Sequence, residues 1–260
     1  MLLRRNLHKA PLALVLLLAG CASAPPATRS GATPAIDPND PLAPTILMID
    51  GQGLVAQGKI QDGLLRYLKA LELQPTNPII HNLVGLAEMQ RGDLAKALTS
   101  FSRALEIMPN YADARNNRGV AYVQIGQNAL AEADFLTVLG DLTYANRTGA
   151  YFNLGTLYLA RGSLTAAEEN LRKAATPAGP IEAHIYLAEL EERLGRTEQA
   201  ETAYQAAMAR APERLDVPLK LARLLATQGR YDEARALLVR IAEMNPDSPE
   251  AAQARELLGR

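Results

Sequence analysis

The chain has 260 residues, 48% hydrophobic and 21% charged, the composition of a folded globular protein rather than a disordered one. Its 27 basic residues nearly balance 28 acidic ones, and aromatics make up 5% with no Trp, so neither a basic nucleic-acid footprint nor a base-stacking platform is expected. One Cys excludes an internal disulfide framework, and three scattered His argue against a His-built metal centre, so no metal or other cofactor is expected.

Residues 1–20 read MLLRRNLHKAPLALVLLLAG. Arg4, Arg5 and Lys9 precede an apolar run over 12–19, the layout of a secretory signal peptide. The run is shorter than the roughly 20 residues that a membrane-spanning helix needs. It ends Leu18-Ala19-Gly20-Cys21, which resembles the lipobox of bacterial lipoproteins. The resemblance implies cleavage before Cys21 and acylation of that residue, palmitate included. Ala22, where inner-membrane lipoproteins carry Asp, implies sorting to the outer membrane, facing the periplasm. Removal of residues 1–20 leaves 24 basic against 28 acidic residues, so attachment to anionic lipid has to come from the anchor and not from charge. After Cys21, residues up to 43 are rich in Pro, Ala, Ser and Thr without apolar periodicity, and 21–43 reads as a flexible linker.

From 44 to 260 the chain repeats with a period of 34: Pro75 and Pro109, Gly85 and Gly119, and Pro212 and Pro246 are each that far apart. In residues 78–111, Gly85, Ala97, Phe101, Ala104 and Pro109 occupy positions 8, 20, 24, 27 and 32, a pattern that resembles the tetratricopeptide repeat (TPR). Copies fall near 44–77, 78–111, 112–145, 148–181, 181–214 and 215–248, with a capping helix over 248–259. The resemblance implies an all-α fold, a TPR α-solenoid: a right-handed superhelix of about six helix-turn-helix repeats plus the cap. The first copy is the weakest, with Asp50 where an apolar residue is expected and Gly63 in place of Ala.

Each residue type has a physical role in this pattern. Gly85, Gly119 and Gly155 let the two helices of a repeat approach closely, and Phe101, Phe135, Tyr122 and Tyr158 are expected to fill the space left. Gly92, Gly126, Gly162, Gly195 and Gly229 fall at the turn, where a positive φ ends the first helix. Asp93 and Ser163 are candidate caps for the helix that follows. Pro75, Pro109, Pro212 and Pro246 stop the second helix. His81 and His184, both at position 4, are expected to pack within the structure rather than to bind a ligand.

In TPR proteins positions 2, 5, 9, 12 and 13 line a concave groove. By register these are Met48 and Val55 in the first repeat, Ile79, Asn82, Leu86 and Met89 in the second, and Asn116, Val120 and Val123 in the third. The fourth brings Phe152, Thr156 and Leu159, with Asn153 beside them, and the last two bring Glu182, Glu189, Glu192, Arg193 and Arg223. An apolar wall with interspersed Asn suits a helix or extended segment of a protein partner, and Asn82, Asn116 and Asn153 can bond its backbone. The alternative is that these positions contact neighbouring helices and belong to the core. Glu168-Glu169 and Glu191-Glu192 are sequence neighbours that do not face one another on a helix. No phosphate loop, HExxH or nucleophile elbow occurs, so no catalytic residues and no small-molecule substrate are expected.

Gly119 and Gly155 are 36 apart, an insertion of two in the stretch DLTYANRTGAYFNLG over 141–155. Together with Asn116-Asn117-x-Gly119, the lipobox, the linker and six repeats, this resembles the type IV pilus TPR lipoproteins of the PilF/PilW kind. The resemblance implies a non-enzymatic pilotin, whose partner is a secretin subunit helped to reach the outer membrane and to multimerise there. A TPR lipoprotein adaptor for cell-wall hydrolases or outer-membrane protein assembly fits the same sequence, with another envelope assembly protein as partner.

Overall fold

The computed structural model describes residues 37–259, so the signal peptide, Cys21 and the linker up to residue 36 lie outside the described residues. Among the described residues are thirteen helices and no strand: α1 (Ala43–Ala56), α2 (Ile60–Leu73), α3 (Pro78–Gln90), α4 (Leu94–Ile107), α5 (Ala112–Gln124), α6 (Asn128–Gly140), α7 (Arg147–Ala160), α8 (Leu164–Ala174), α9 (Ile181–Arg193), α10 (Thr197–Arg210), α11 (Asp216–Thr227), α12 (Tyr231–Met244) and α13 (Pro249–Leu258). Each odd-numbered helix up to α11 pairs tightly with the one after it, and each pair leans on the next. Contacts stay between sequence neighbours and next-nearest helices, as in a solenoid. The first helices α3 and α5, α5 and α7, and α11 and α13 also touch across one repeat. No two second helices are in comparable contact, so the first helices form the inner side of the stack. The described residues form an all-α solenoid of helix-turn-helix repeats.

Punctuation by Gly and Pro sets this regular length. Gly58, Gly92, Gly126, Gly162, Gly195 and Gly229 all have φ between +74° and +83°. At each, two hydrogen bonds close the first helix: Gly92 N–H donates to Met89 O at 3.0 Å and Asp93 N–H to Glu88 O at 2.9 Å, a Schellman motif that satisfies two end carbonyls. At the other end, Gln74, Met108, Ala211 and Asn245 each precede a Pro, and all four have φ between −130° and −146°. Clash with the Pro ring keeps the preceding residue out of the helical region, which ends the second helix there. Asp93 and Ser163 stand at the N-cap positions of α4 and α8 but make no side-chain cap bond. The Asp93 carboxylate instead lies 3.5 Å from the Arg91 guanidinium.

Inside each repeat, a position-24 side chain lies over the position-8 residue. A Cβ on Gly85 would stand 2.6 Å from the Phe101 ring, and one on Gly119 the same distance from Phe135, both closer than real contacts allow. Tyr67 lies over Gly51 and Leu171 over Gly155 in the same way. Burial pushes the Tyr67 hydroxyl up to about 12. Phe101, Phe135 and Ala97 are fully buried. Tyr122 and Tyr158 do not fill these spaces: both are half-buried at position 11, and the Tyr158 hydroxyl donates to Glu132 of the preceding repeat at 2.7 Å.

The first repeat is built like the others, and its two irregularities have partners. Gly63 is buried, and a Cβ there would stand 2.8 Å from Gly51 O, so Ala would not fit. Asp50, at position 7, lies 2.7 Å from Arg66 Nε at position 23. In the third repeat the same two positions hold the reverse pair, Arg118 Nε donating to Asp134 at 2.8 Å. Glu191 is 1% exposed and accepts from Arg172 at 2.6 Å and Arg196 at 3.2 Å, which ties the fourth repeat to the fifth. Phe101→Ala is expected to cost about 3–5 kcal/mol through the cavity it opens, while Tyr231→Ala, on a side chain 70% exposed, stays within about 0.5 kcal/mol. Urea unfolding followed by circular dichroism measures both.

Candidate functional site: the inner wall

The inner wall is made of α1, α3, α5, α7, α9 and α11. Its floor is position 5, which is buried in every repeat after the first: Asn82, Asn116, Phe152, Ile185 and Leu219. The position-5 side chain meets position 6 of the following repeat. Asn117 Nδ2 donates to Asn82 Oδ1 at 3.0 Å, and Asn153 Nδ2 donates to Asn116 Oδ1 at 3.1 Å. In the next step Phe152 meets Tyr186 edge-on, centroids 5.5 Å apart. In the first step Met48 and Leu83 pack against one core cluster. A seam therefore runs along the wall, apolar at its start, amide-paired in the middle and aromatic after that.

This seam decides which of the expected groove residues face outward. Ile79, at position 2, is 45% exposed. Leu86, Val120, Val123, Thr156 and Leu159 are half-buried, as are Met48, Val55 and Asn153, the apolar ones resting in part on core clusters. Met89 and Phe152 are 5% and 4% exposed, each inside a core cluster, and so are not groove residues. Asn82 and Asn116 are likewise buried, and their amides are spent on the seam rather than held out to a partner. The register explains this: position 5 points at the next repeat as much as at the groove.

In the last two repeats Glu182 and Glu189 are ion-paired across the wall, and Arg223 reaches the capping helix. Arg214 donates to Glu182 at 2.9 Å and to Asp216 at 2.8 Å, Lys220 to Glu189 at 2.5 Å, and Arg223 to Gln253 at 2.8 Å. The wall thus has an open apolar part over α3, α5 and α7 and an ion-paired part over α9 and α11. The two-residue insertion before α7 folds back onto α5, where the Tyr144 hydroxyl donates to Asp113 at 2.7 Å. Burial, and after it this carboxylate, raise the Tyr144 pKa and keep the hydroxyl a donor.

Position 4 serves the preceding turn. His81 Nε2 lies 2.9 Å from Pro75 O, His184 Nε2 lies 3.4 Å from Thr176 O, and Arg115 donates to Pro109 O at 2.5 Å. These are carbonyls left over just after a second helix, and the three side chains satisfy them. Sequence reasoning missed a cleft of about 320 Å³ between the end of α10, the start of α11, and α12, lined by Met208, Pro212, Pro218, Leu237, Ile241 and Met244. No sequence motif marks it, because its walls come from three helices. Among the described residues, no cluster of His, Cys, Asp and Glu could hold a metal ion, and no helix is long and apolar enough to cross a membrane.

Family models described as tetratricopeptide repeats match residues 85–126, 116–180, 152–214 and 192–258. None of the curated proteins matches the sequence. Among solved structures, PilF of Pseudomonas aeruginosa is similar with a TM-score of 0.70 at 18% identity, over 83% of this chain and 97% of that one. PilW, described as a widely conserved type IV pilus biogenesis factor, gives 0.70 at 22% identity, over 81% and 97%. A thermophilic TPR protein of Thermus thermophilus gives 0.60 at 22% identity, over 71% and 100%. At these identities the likeness is one of fold.

His184 supplies a pH test of the position-4 contact. Burial holds its pKa below the ordinary 6.5, so the folded state resists protonation. Its stabilising effect is therefore complete above pH 6.5 and is lost as pH falls through the lower folded value. The denaturation midpoint is expected to fall across that window, and His184→Gln, which keeps a donor without titrating, to flatten it.

Proposed function

Since the chain is a tetratricopeptide-repeat protein, we propose that it is a non-catalytic scaffold whose inner wall holds a segment of a protein partner, and that it acts as an outer-membrane lipoprotein assisting secretin assembly in type IV pilus biogenesis. The observation that carries the scaffold reading is the open apolar part of the wall. Ile79, Leu86, Val120, Val123 and Leu159 keep part of their surface in water on a rigid, preformed support. Apolar surface held this way gains by burial against a partner, at about 25 cal/mol per Å². A helix or strand fits such a wall, because side chains can enter between consecutive helices while the backbone stays outside.

The address and the partner rest on the sequence and on likeness. The lipobox ending in Cys21 motivates an acyl anchor, and Ala22 motivates the outer membrane, with the body facing the periplasm. The pilus role is motivated by PilF and PilW, which share the fold over nearly their full lengths. In this reading the anchor supplies location, and the wall supplies recognition.

Deleting the protein is expected to remove heat-resistant secretin multimers while pilin persists, read by immunoblot of membranes. Multimers present at unchanged levels would exclude the secretin role. Ile79→Glu is expected to weaken capture of the partner by at least about tenfold, since it puts a charge where a partner has to be desolvated. The half-exposed side chain at that site lets the helical signal stay unchanged.

A further inference from the structure

The repeats themselves show what a stacking face looks like. Position 3 is 0% exposed in every repeat that has a predecessor: Ile80, Ala114, Ala150, Ala183 and Val217. Position 10 is buried in the same five, as Ala87, Ala121, Leu157, Leu190 and Leu224. Position 6 is at least partly covered in all of them. Spacings of three and four put positions 3, 6 and 10 on one stripe of the first helix, and the preceding repeat covers that stripe. In α1 the three positions are Ile46, Ile49 and Gly53. Ile46 is 40% and Ile49 58% exposed, a Cβ on Gly53 would meet nothing within 4 Å, and Leu42 beside them is 62% exposed.

The two ends of the solenoid are treated differently. At the C-terminal end α13 sets Ala251 and Ala254 at 0% exposure and turns Gln253, Arg255 and Glu256 to solvent, a polar cap of the kind that ends a repeat array. The N-terminal end has an apolar stacking stripe and, among the described residues, no cap. We infer that this α1 face docks the α1 face of a second copy of the chain, closing a two-fold dimer. Head-to-tail stacking is blocked by the polar face of α13, so of the two ends of a copy only the same α1 stripe can continue the stack. An isologous contact sets each residue near its own counterpart across the axis, which a central charge would oppose. Within α1 the one charge is Asp50, paired with Arg66, and the exposed carboxylates of Asp37 and Asp40 stand at the end of the stripe beside Leu42 rather than at its centre. Gly53 lets the two helices approach closely, and after pairing neither copy has an open stripe left.

The test uses the full chain in mild detergent, with Cys21→Ser so that an introduced thiol stands alone. Sedimentation is expected to give a dimer. Ile46→Glu combined with Ile49→Glu is expected to give a monomer of unchanged helicity, since both side chains already face water. Val239→Glu, on an exposed position of α12, is expected to remain dimeric. Oxidation of Ile49→Cys is expected to trap a disulfide-linked pair. A parent chain that is monomeric at every concentration overturns the inference. In that event a slowly labelled Ile49→Cys thiol assigns the stripe to the chain's own N-terminal segment, and a rapidly labelled one leaves it to a different protein. A dimer that survives the double Glu substitution overturns it as well.

Discussion

Each repeat closes on one contact, a first-helix residue with little or no side chain under a large second-helix side chain. Where the residue is Gly, the gap between backbone and ring is too small for a methyl group. A Cβ on Gly51 would lie 2.5 Å from the Tyr67 ring, and one on Gly155 would lie 2.9 Å from Leu171. In the last two repeats the small residue is Ala188 or Ala222, and it shares a core cluster with Tyr204 and Leu238. This contact sets how near the two helices come and so how much surface a pair can present to the next pair. A single pair buries too little to be stable alone, so stability is a property of the stack. Length of helix, position of turn and face of packing all have to agree in every copy, which is why the Gly and Pro punctuation recurs so regularly.

The seam between positions 5 and 6 then decides what is left for binding. Neighbouring first helices need that contact to stack, and the groove needs the same helices to show a surface. Amide pairs answer both needs in the middle of the wall. Asn82–Asn117 and Asn116–Asn153 hold the helices at hydrogen-bond distance and fix their register, since a sideways slip would leave buried amides unpaired. Further along, Phe152 and Tyr186 make the contact with rings, and a larger share of the wall becomes core there. Beyond them the ion pairs of Glu182 and Glu189 with Arg214 and Lys220 replace apolar surface altogether. The open apolar part of the wall is thus bounded on its C-terminal side by residues whose polar groups are already engaged.

Much of this was legible in the residues, because the repeat forces the same physical problem on the chain several times. The positive φ of Gly92, Gly126, Gly162, Gly195 and Gly229, and the ends of α2, α4, α10 and α12 before Pro, follow from residue type and spacing alone. Gly58 belonged to the same series and could have been read from its distance of 34 to Gly92. Site residues were harder. Position 5 lies at the border between groove and seam, and the neighbour across the seam is 34 to 37 residues away in sequence, so burial of Asn82, Asn116 and Phe152 depends on the stack and not on the helix that carries them. Met89 looked like an adaptable groove residue for its chemistry, yet it packs with Phe101 and Ala121. Tyr122 and Tyr158 have the size to fill the gaps over Gly119 and Gly155, but Phe135 and Leu171 fill them from the second helix.

Asp50 shows best why one repeat has to be read against another. Alone it is a flaw in a weak first copy. Set beside the third copy, where Arg118 occupies position 7 and Asp134 position 23, it becomes one half of a charge pair with reversed polarity, completed by Arg66. The two pairs disfavour packing either repeat's helix against the other's. If α1 packed against α6, Asp50 would face Asp134; if α5 packed against α2, Arg118 would face Arg66. Like charges brought together in partly buried positions disfavour both exchanges. Val84 opposite Ser100 and Leu154 opposite Asn170 carry no charge at the same sites, so the discrimination is specific to the first and third copies. A repeated sequence risks pairing its helices in the wrong order, because every first helix resembles every other. Reversed ion pairs at one shared position oppose that error while leaving the Gly-under-ring contact, and with it the geometry of the stack, unchanged.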